Sequence, residues 1–163
     1  MCGIAGLINQ NPQEVSVSQL KKMTDIIAHR GPDNEAHWIN INGNVGLGHR
    51  RLSIIDLSSN AHQPIHYLSR YTLVFNGEIY NYIELKATLL QQGYYFKTSS
   101  DTEVLLALYD RHKENCLQLL DGMFSFVIYD DQEKEIFAAR DRFGEKPFFY
   151  SYQPGKYFYL AVK

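Results

Sequence analysis

The chain has 163 residues, enough for one domain with a sizeable core. It is 45% hydrophobic and 21% charged, as globular domains are, and its formal charge of −2 without a long basic or acidic run excludes binding nucleic acid or a membrane surface through a charge patch. Two cysteines are too few for a disulfide framework, no stretch approaches the roughly 20 apolar residues of a membrane span, and the N-terminus has no signal-peptide pattern, so a reducing cytoplasm is the expected setting.

In chain order, "GIAGLIN" (3–9) is a short apolar run that predicts a buried strand. Residues 16–31 predict a helix, with Leu20, Met23, Ile26 and Ile27 at helical spacing and Gly31-Pro32 as its stop. Residues 35–50 predict two strands around Asn42-Gly43, a strong hairpin signal. "YTLVFNGEIYN" (71–81) reads as a strand running into a glycine turn. A helix is predicted over 81–93, capped by Asn81 and ended by Gly93, and another over 100–112. In the second helix, Ser100 and Glu103 fit a capping box and Val104, Leu105 and Leu108 form an apolar stripe. Four short strands follow, in "GMFSFVIYDD", "EIFAARD", "KPFFYSY" and "KYFYLAV". Aromatics make up 13% of the chain, which suits pleated surfaces. Three helices and about eight strands with short links predict an α+β fold, two mainly antiparallel sheets stacked with helices outside.

Several residues are candidates for chemistry. Cys2 becomes the N-terminal residue once Met1 is removed, and then carries its own base, the α-amine. Such an amine ordinarily titrates at about 7.7–8.0 and a thiol at about 8.5, so roughly a tenth of the amine is neutral near pH 7. It can take the thiol proton with no catalytic histidine. The plain alternative is a small apolar residue entering a strand. Asn76-Gly77 offers a side-chain amide and a bare backbone N–H, the parts of an oxyanion hole. The alternative there is an ordinary Asn-Gly turn. Arg50 and Arg51 fall on opposite faces of a strand, so at most one points inward to grip a carboxylate. Asp101 is free to face a cation if Ser100 caps the helix, and Glu78 is a second carboxylate. "HRGPDNE" (29–35) reads as a helix stop and Cys116 as core. The six histidines give no metal spacing: His62 and His66 are separated by Pro64. No phosphate-binding glycine loop is present.

A thiol with its own base, an oxyanion site, an arginine and an acid make a receptor for an amino acid whose side-chain carbonyl is attacked, and glutamine fits. The segments "CGIAG", "HRGPD", "GHRRLSIIDLS", "HQP", "FNGEIYN", "SDTEVLLALY", "GMFSFVIYD" and "ARDRFGEKPFFY" closely resemble the glutaminase domain of glutamine-hydrolysing asparagine synthetases, a class II glutamine amidotransferase. The resemblance implies an N-terminal nucleophile (Ntn) hydrolase αββα sandwich. It implies Cys2 as nucleophile and Asn76 and Gly77 as oxyanion donors. It gives Arg51 to the glutamine α-carboxylate, the backbone of Leu52, Ser53, Ile54 and Ile55 to the same pocket, and Glu78 and Asp101 to the α-ammonium group. No metal or cofactor is implied for this part, because ATP and magnesium belong to the synthetase domain of the family.

The chain departs from that family in ending at "LAVK" (160–163) and in having no SGG-x-DS pyrophosphate loop. The expectation is a glutaminase domain over 1–163 that lacks its last strands and its synthetase domain: a fragment, a truncated gene product, or the partner of a separate synthetase domain or subunit. A non-catalytic module that binds glutamine or a partner is the alternative of a different class. A third reading is the glutaminase half of another amide-forming enzyme.

Overall fold

A computed structural model describes residues 2–10, 14–52 and 62–163. Among these, nine strands and three α-helices build two antiparallel sheets with helices on both outer faces. The strands are β1 (Gly3–Asn9), β2 (Asn34–Ile39), β3 (Val45–Arg51), β4 (Ile65–Tyr67), β5 (Tyr71–Ile79), β6 (Gly122–Asp130), β7 (Glu135–Arg140), β8 (Phe149–Gln153) and β9 (Tyr157–Val162). The helices are α1 (Val17–Ile26), α2 (Tyr82–Gln91) and α3 (Asp101–His112). One sheet runs β2-β3-β1-β9-β8 and the other β4-β5-β6-β7. This is the expected α+β sandwich.

The layers follow from side-chain alternation. Ile4, Ile8, Val45, Leu47, Leu160 and Val162 of the five-stranded sheet meet Val74 and Val127 of the four-stranded sheet. On the outer face of the first sheet, α1 packs Leu20 with Val15 against Leu7. Glycine lets it lie close: a Cβ on Gly46 would stand 2.7 Å from Leu20 Cδ1. On the far side, Leu73, Phe75, Phe124 and Phe126 pack against α3 and α2.

Local signals explain most element ends. Ser16 caps α1 in a capping box with Gln19: Gln19 N–H donates to Ser16 Oγ at 3.2 Å, and Ser16 N–H donates to Gln19 Oε1 at 3.0 Å. Several expectations need correction. Ile26 lies outside the α1 stripe, 76% exposed, because α1 ends there and a 3-10 turn over Ala28–Arg30 follows, while Ile27 is buried. Asn81 sits at the start of α2 but makes no cap. Its Nδ2 donates to the Leu119 carbonyl at 2.9 Å and its Oδ1 accepts the Asp121 N–H at 3.1 Å, stitching the helix start to the entry of β6. Ser100 does cap α3, but Glu103 closes no box: its carboxylate accepts the N–H groups of Lys97 and Thr98. The α3 stripe is in fact buried all round over residues 102–109, because α2 covers the face the sheet does not.

At the end of β6, Arg70 donates both Nε and Nη2 to the Asp130 carboxylate at 2.7 Å, and Lys113 adds a third hydrogen bond at 3.2 Å. Burial alone would raise the Asp130 pKa. The hydrogen bonds from Arg70, Lys113 and the backbone of Gln132 and Glu133 override it and hold the carboxyl at about 2. Cys116 is fully buried, as expected of a core residue, and burial pushes its thiol up to about 12.

Candidate active site

Alternation brings the candidate residues to one end of the sandwich. Val45 and Leu47 of β3 face the space between the sheets, so His49 and Arg51 do too. Ile4 and Ile8 put the same face of β1 inward, and Cys2 precedes that strand in the same phase. On β5, Val74 faces inward while Leu73 and Phe75 face the helices, so Asn76 and Glu78 point inward. Gly3 pairs with Arg50, and β1 and β5 touch across the sandwich. The nucleophile candidate and the oxyanion candidates therefore come from different sheets.

Cys2 is half-buried, and its Sγ lies 3.7 Å from the carbonyl of Leu52. Of the pocket backbone expected at Leu52, Ser53, Ile54 and Ile55, Leu52 is described and the other three lie outside the described residues, as does Met1. The two arginines separate as the strand pattern requires. Arg50 turns outward, donating to the Thr24 carbonyl at 3.1 Å and pairing with Asp25 and Glu35. Arg51 is 6% exposed on the inner face.

Asn76 is 2% exposed, and its Nδ2 is buried with no hydrogen-bond partner. Leaving a buried donor unmade ordinarily costs about 1–3 kcal/mol. An oxygen acceptor entering the space beside it would satisfy that donor. Contrary to the expected turn, β5 does not end at Asn76-Gly77 but runs unbroken to Ile79, because β6 pairs with it throughout: Asn76 opposite Ser125 and Gly77 opposite Phe124.

The backbone N–H groups of Phe75, Gly77 and Ile79 point to one edge of β5 by strand alternation, away from β6. Phe75 N–H donates to Gln63 Oε1 and Ile79 N–H donates to Asp101 Oδ2 at 3.1 Å. The Gly77 N–H faces the same edge between them. A Cβ on Gly77 would stand 2.2 Å from the Met123 carbonyl oxygen, so only glycine fits. Gly77→Ala is expected to destabilise the fold by roughly 3 kcal/mol or more, read as a lowered midpoint in chemical denaturation.

Asp101 is not free, as the sequence suggested, but holds β5 through the Ile79 N–H. Burial pushes its carboxyl above the ordinary range. The N–H groups of Ile79 and Thr102 pull it back, and the Glu78 carboxylate nearby adds to the rise. Two acids so placed favour a cation beside them.

The sequence reading passed over two residues. His49, inside the "GHRR" motif, is 1% exposed, and its Nε2 donates to the Phe75 carbonyl at 3.2 Å. Period-two alternation from Arg51 was the signal that would have found it. Arg30, read as part of a helix stop, keeps Nε and Nη2 buried without partners, and its Cβ lies close to Gly3. Among the described residues, no group of three or more His, Cys, Asp or Glu side chains is placed to hold a metal ion, and no helix is long and apolar enough to cross a membrane.

Burial pushes the His49 pKa down to about 4, whereas an unfolded histidine titrates near 6.5. Protons thus bind the unfolded chain preferentially. The corresponding stability, about 3 kcal/mol, is present above pH 6.5 and is lost as the pH falls to 4. Burial lowers His37 and His66 in the same direction. Asp130 follows the carboxylate rule: its contribution of about 2 kcal/mol is present above pH 4 and disappears between pH 4 and 2. Urea midpoints measured from pH 7 to 3 are expected to fall in these two windows, and Asp130→Asn to flatten the lower one. A midpoint that stays level from pH 6.5 to 4 would contradict the neutral buried ring.

The sequence profile of the glutamine amidotransferase domain matches residues 1–163. Asparagine synthetase [glutamine-hydrolyzing] 1 of Bacillus subtilis is 46% identical over 155 residues, which cover 93% of this chain and 24% of that protein. Putative asparagine synthetase [glutamine-hydrolyzing] 2 of Methanocaldococcus jannaschii is 40% identical over 187 residues, covering 100% of this chain and 36% of that one. The Gibberella zeae protein named Amidase chry2 is 39% identical, covering 96% and 25%. The chain thus spans about a quarter to a third of the length of these relatives. Among solved structures, the Bacillus subtilis glutamine phosphoribosylpyrophosphate amidotransferase shares the fold, with a TM-score of 0.80 at 23% identity over 98% of this chain and 41% of that one.

Proposed function

Because the chain belongs to the glutamine amidotransferase domain family, we propose that it hydrolyses L-glutamine to glutamate and ammonia with Cys2 as an N-terminal nucleophile. Loss of Met1 frees the Cys2 α-amine, which takes the thiol proton as Sγ attacks the amide carbon. The developing oxyanion accepts hydrogen bonds from Asn76 Nδ2 and the Gly77 N–H. The amine returns the proton to the departing nitrogen, ammonia leaves, and a γ-glutamyl thioester remains. Water then attacks that thioester, releasing glutamate and restoring the thiol. Arg51 receives the α-carboxylate beside the backbone of Leu52, Ser53, Ile54 and Ile55, and Glu78 and Asp101 attract the α-ammonium group.

The observation that carries this reading is the buried Asn76 Nδ2, a strong donor without a partner on the inner face. The ammonia is assigned to asparagine formation, since relatives 40–46% identical to this chain bear that name. That reaction, with its ATP and magnesium, belongs to the greater length of those relatives.

Intact mass spectrometry tests the assignment. A thiol-alkylating glutamine analogue is expected to add once, to a chain lacking Met1, and free glutamine is expected to block the addition. Retained Met1, or an adduct that glutamine does not prevent, would sink the reading.

A further inference from the structure

The nucleophile and the oxyanion donors sit on different sheets, and apolar packing between sheets is non-directional. A hydrogen bond sets an angle as well as a distance. His49 supplies one across the gap: it lies on β3, opposite Ile4 of β1, and donates to the carbonyl of Phe75 on β5, the residue before Asn76. Phe75 also has its N–H held by Gln63 Oε1. The β4 ladder ends at Ile65 opposite Leu73, two residues short of Phe75. Side chains thus take over from the ladder at the residue that leads into Asn76-Gly77. A second sheet-to-sheet hydrogen bond, from Asn40 Nδ2 to Tyr129 Oη at 3.2 Å, lies at the other end of the sandwich.

The chemistry of the ring shows that packing alone does not explain a histidine here. A carbonyl only accepts, so Nε2 carries the hydrogen and Nδ1 is a bare acceptor. That Nδ1 is buried without a partner, a cost that an apolar side chain of similar volume avoids. The ring is also held neutral by its burial, so it keeps this tautomer at physiological pH.

We propose that His49 is a positioning residue, tying β5 to the strand pair β1–β3 so that Asn76 and Gly77 stand in fixed relation to Cys2. It touches no substrate atom and moves no proton. This rests on the reading of Cys2, Asn76 and Gly77 given above. Misplacement of reacting groups by about 1 Å costs up to roughly 100-fold in rate.

The test uses the full chain, with Cys2→Ala as the control for Cys2-dependent hydrolysis. His49→Leu is expected to lower kcat for glutamine about 10- to 100-fold while KM stays within about threefold. The γ-aldehyde analogue of glutamate, which forms an oxyanion on Cys2, is expected to bind the variant weaker by the same factor, with glutamate binding unchanged. His49→Gln keeps an N–H donor at similar reach and is expected to recover most of the loss. Unchanged kcat, a rise in KM alone, or a loss that His49→Gln does not relieve overturns the proposal. Should His49→Leu fail to fold, His49→Gln and His49→Met are compared in the same way, and equal rates in the two overturn it. A wild-type chain without Cys2-dependent hydrolysis overturns the site reading itself, and is told apart by the control.

Discussion

Cys2→Ala is expected to lower glutamate release from glutamine by about 10³-fold or more. The variant removes the only group assigned to the covalent step, and the oxyanion donors are left with nothing to stabilise. The fold should not notice. Cys2 precedes β1 rather than sitting in its ladder, and among the described residues Sγ has one long hydrogen bond, 3.7 Å to the Leu52 carbonyl. A thermal midpoint within a few degrees of wild type is therefore expected alongside the lost turnover. Retained turnover in purified Cys2→Ala would end the nucleophile assignment. Retained fold with lost turnover would equally end the reading of the chain as a non-catalytic glutamine-binding module.

Asn76→Ala should come second in size, with kcat lowered about 10²- to 10³-fold, or some 3–4 kcal/mol of transition-state stabilisation. Its stability signature is unusual for a 2% exposed residue. Truncating a buried side chain normally leaves a cavity and costs stability. Here the Nδ2 already lacks a partner, so removing it also removes a desolvation cost of about 1–3 kcal/mol. The two effects oppose each other, and the expected net change in unfolding free energy is within about 1 kcal/mol. Steady-state kinetics and urea unfolding on the same preparation read both. A kcat within threefold of wild type would remove Asn76 from the oxyanion site.

The layered fold was legible because local patterns carry it. Alternation in "GIAGLIN" and the apolar spacing of residues 16–31 each act within a few residues of themselves. The same alternation separated Arg50 from Arg51, and the structure turns Arg50 outward to Asp25 and Glu35. What was not legible depends on partners distant in sequence. Asn76-Gly77 looked like a turn because Asn-Gly favours turns locally, yet β6, nearly fifty positions later, holds it as strand. Glu103 matched a capping box by spacing but satisfies the segment leading into α3 instead. Asn81 matched an N-cap but bonds across to Leu119 and Asp121. Asp101 was read as free because nothing local shows that Ile79 would need its oxygen. His49 needs both sheets in place before its bond to Phe75 exists at all.

The strand behind Cys2 lies between β3 and β9 in the five-stranded sheet, with Ile4 opposite His49 on one side and Val162 on the other. A polypeptide emerges from the ribosome N-terminus first, at about 5–20 residues per second. Residues 3–9 are thus made before residues 45–51, and residues 157–162 after both. Loop closure over such separations is slow, and the strand stays half-paired until it happens. The Cys2 thiol is therefore made before both neighbours of its strand and set into its finished surroundings only after β9. Translation itself imposes an order in which β9 must arrive before the nucleophile's strand is locked between two neighbours.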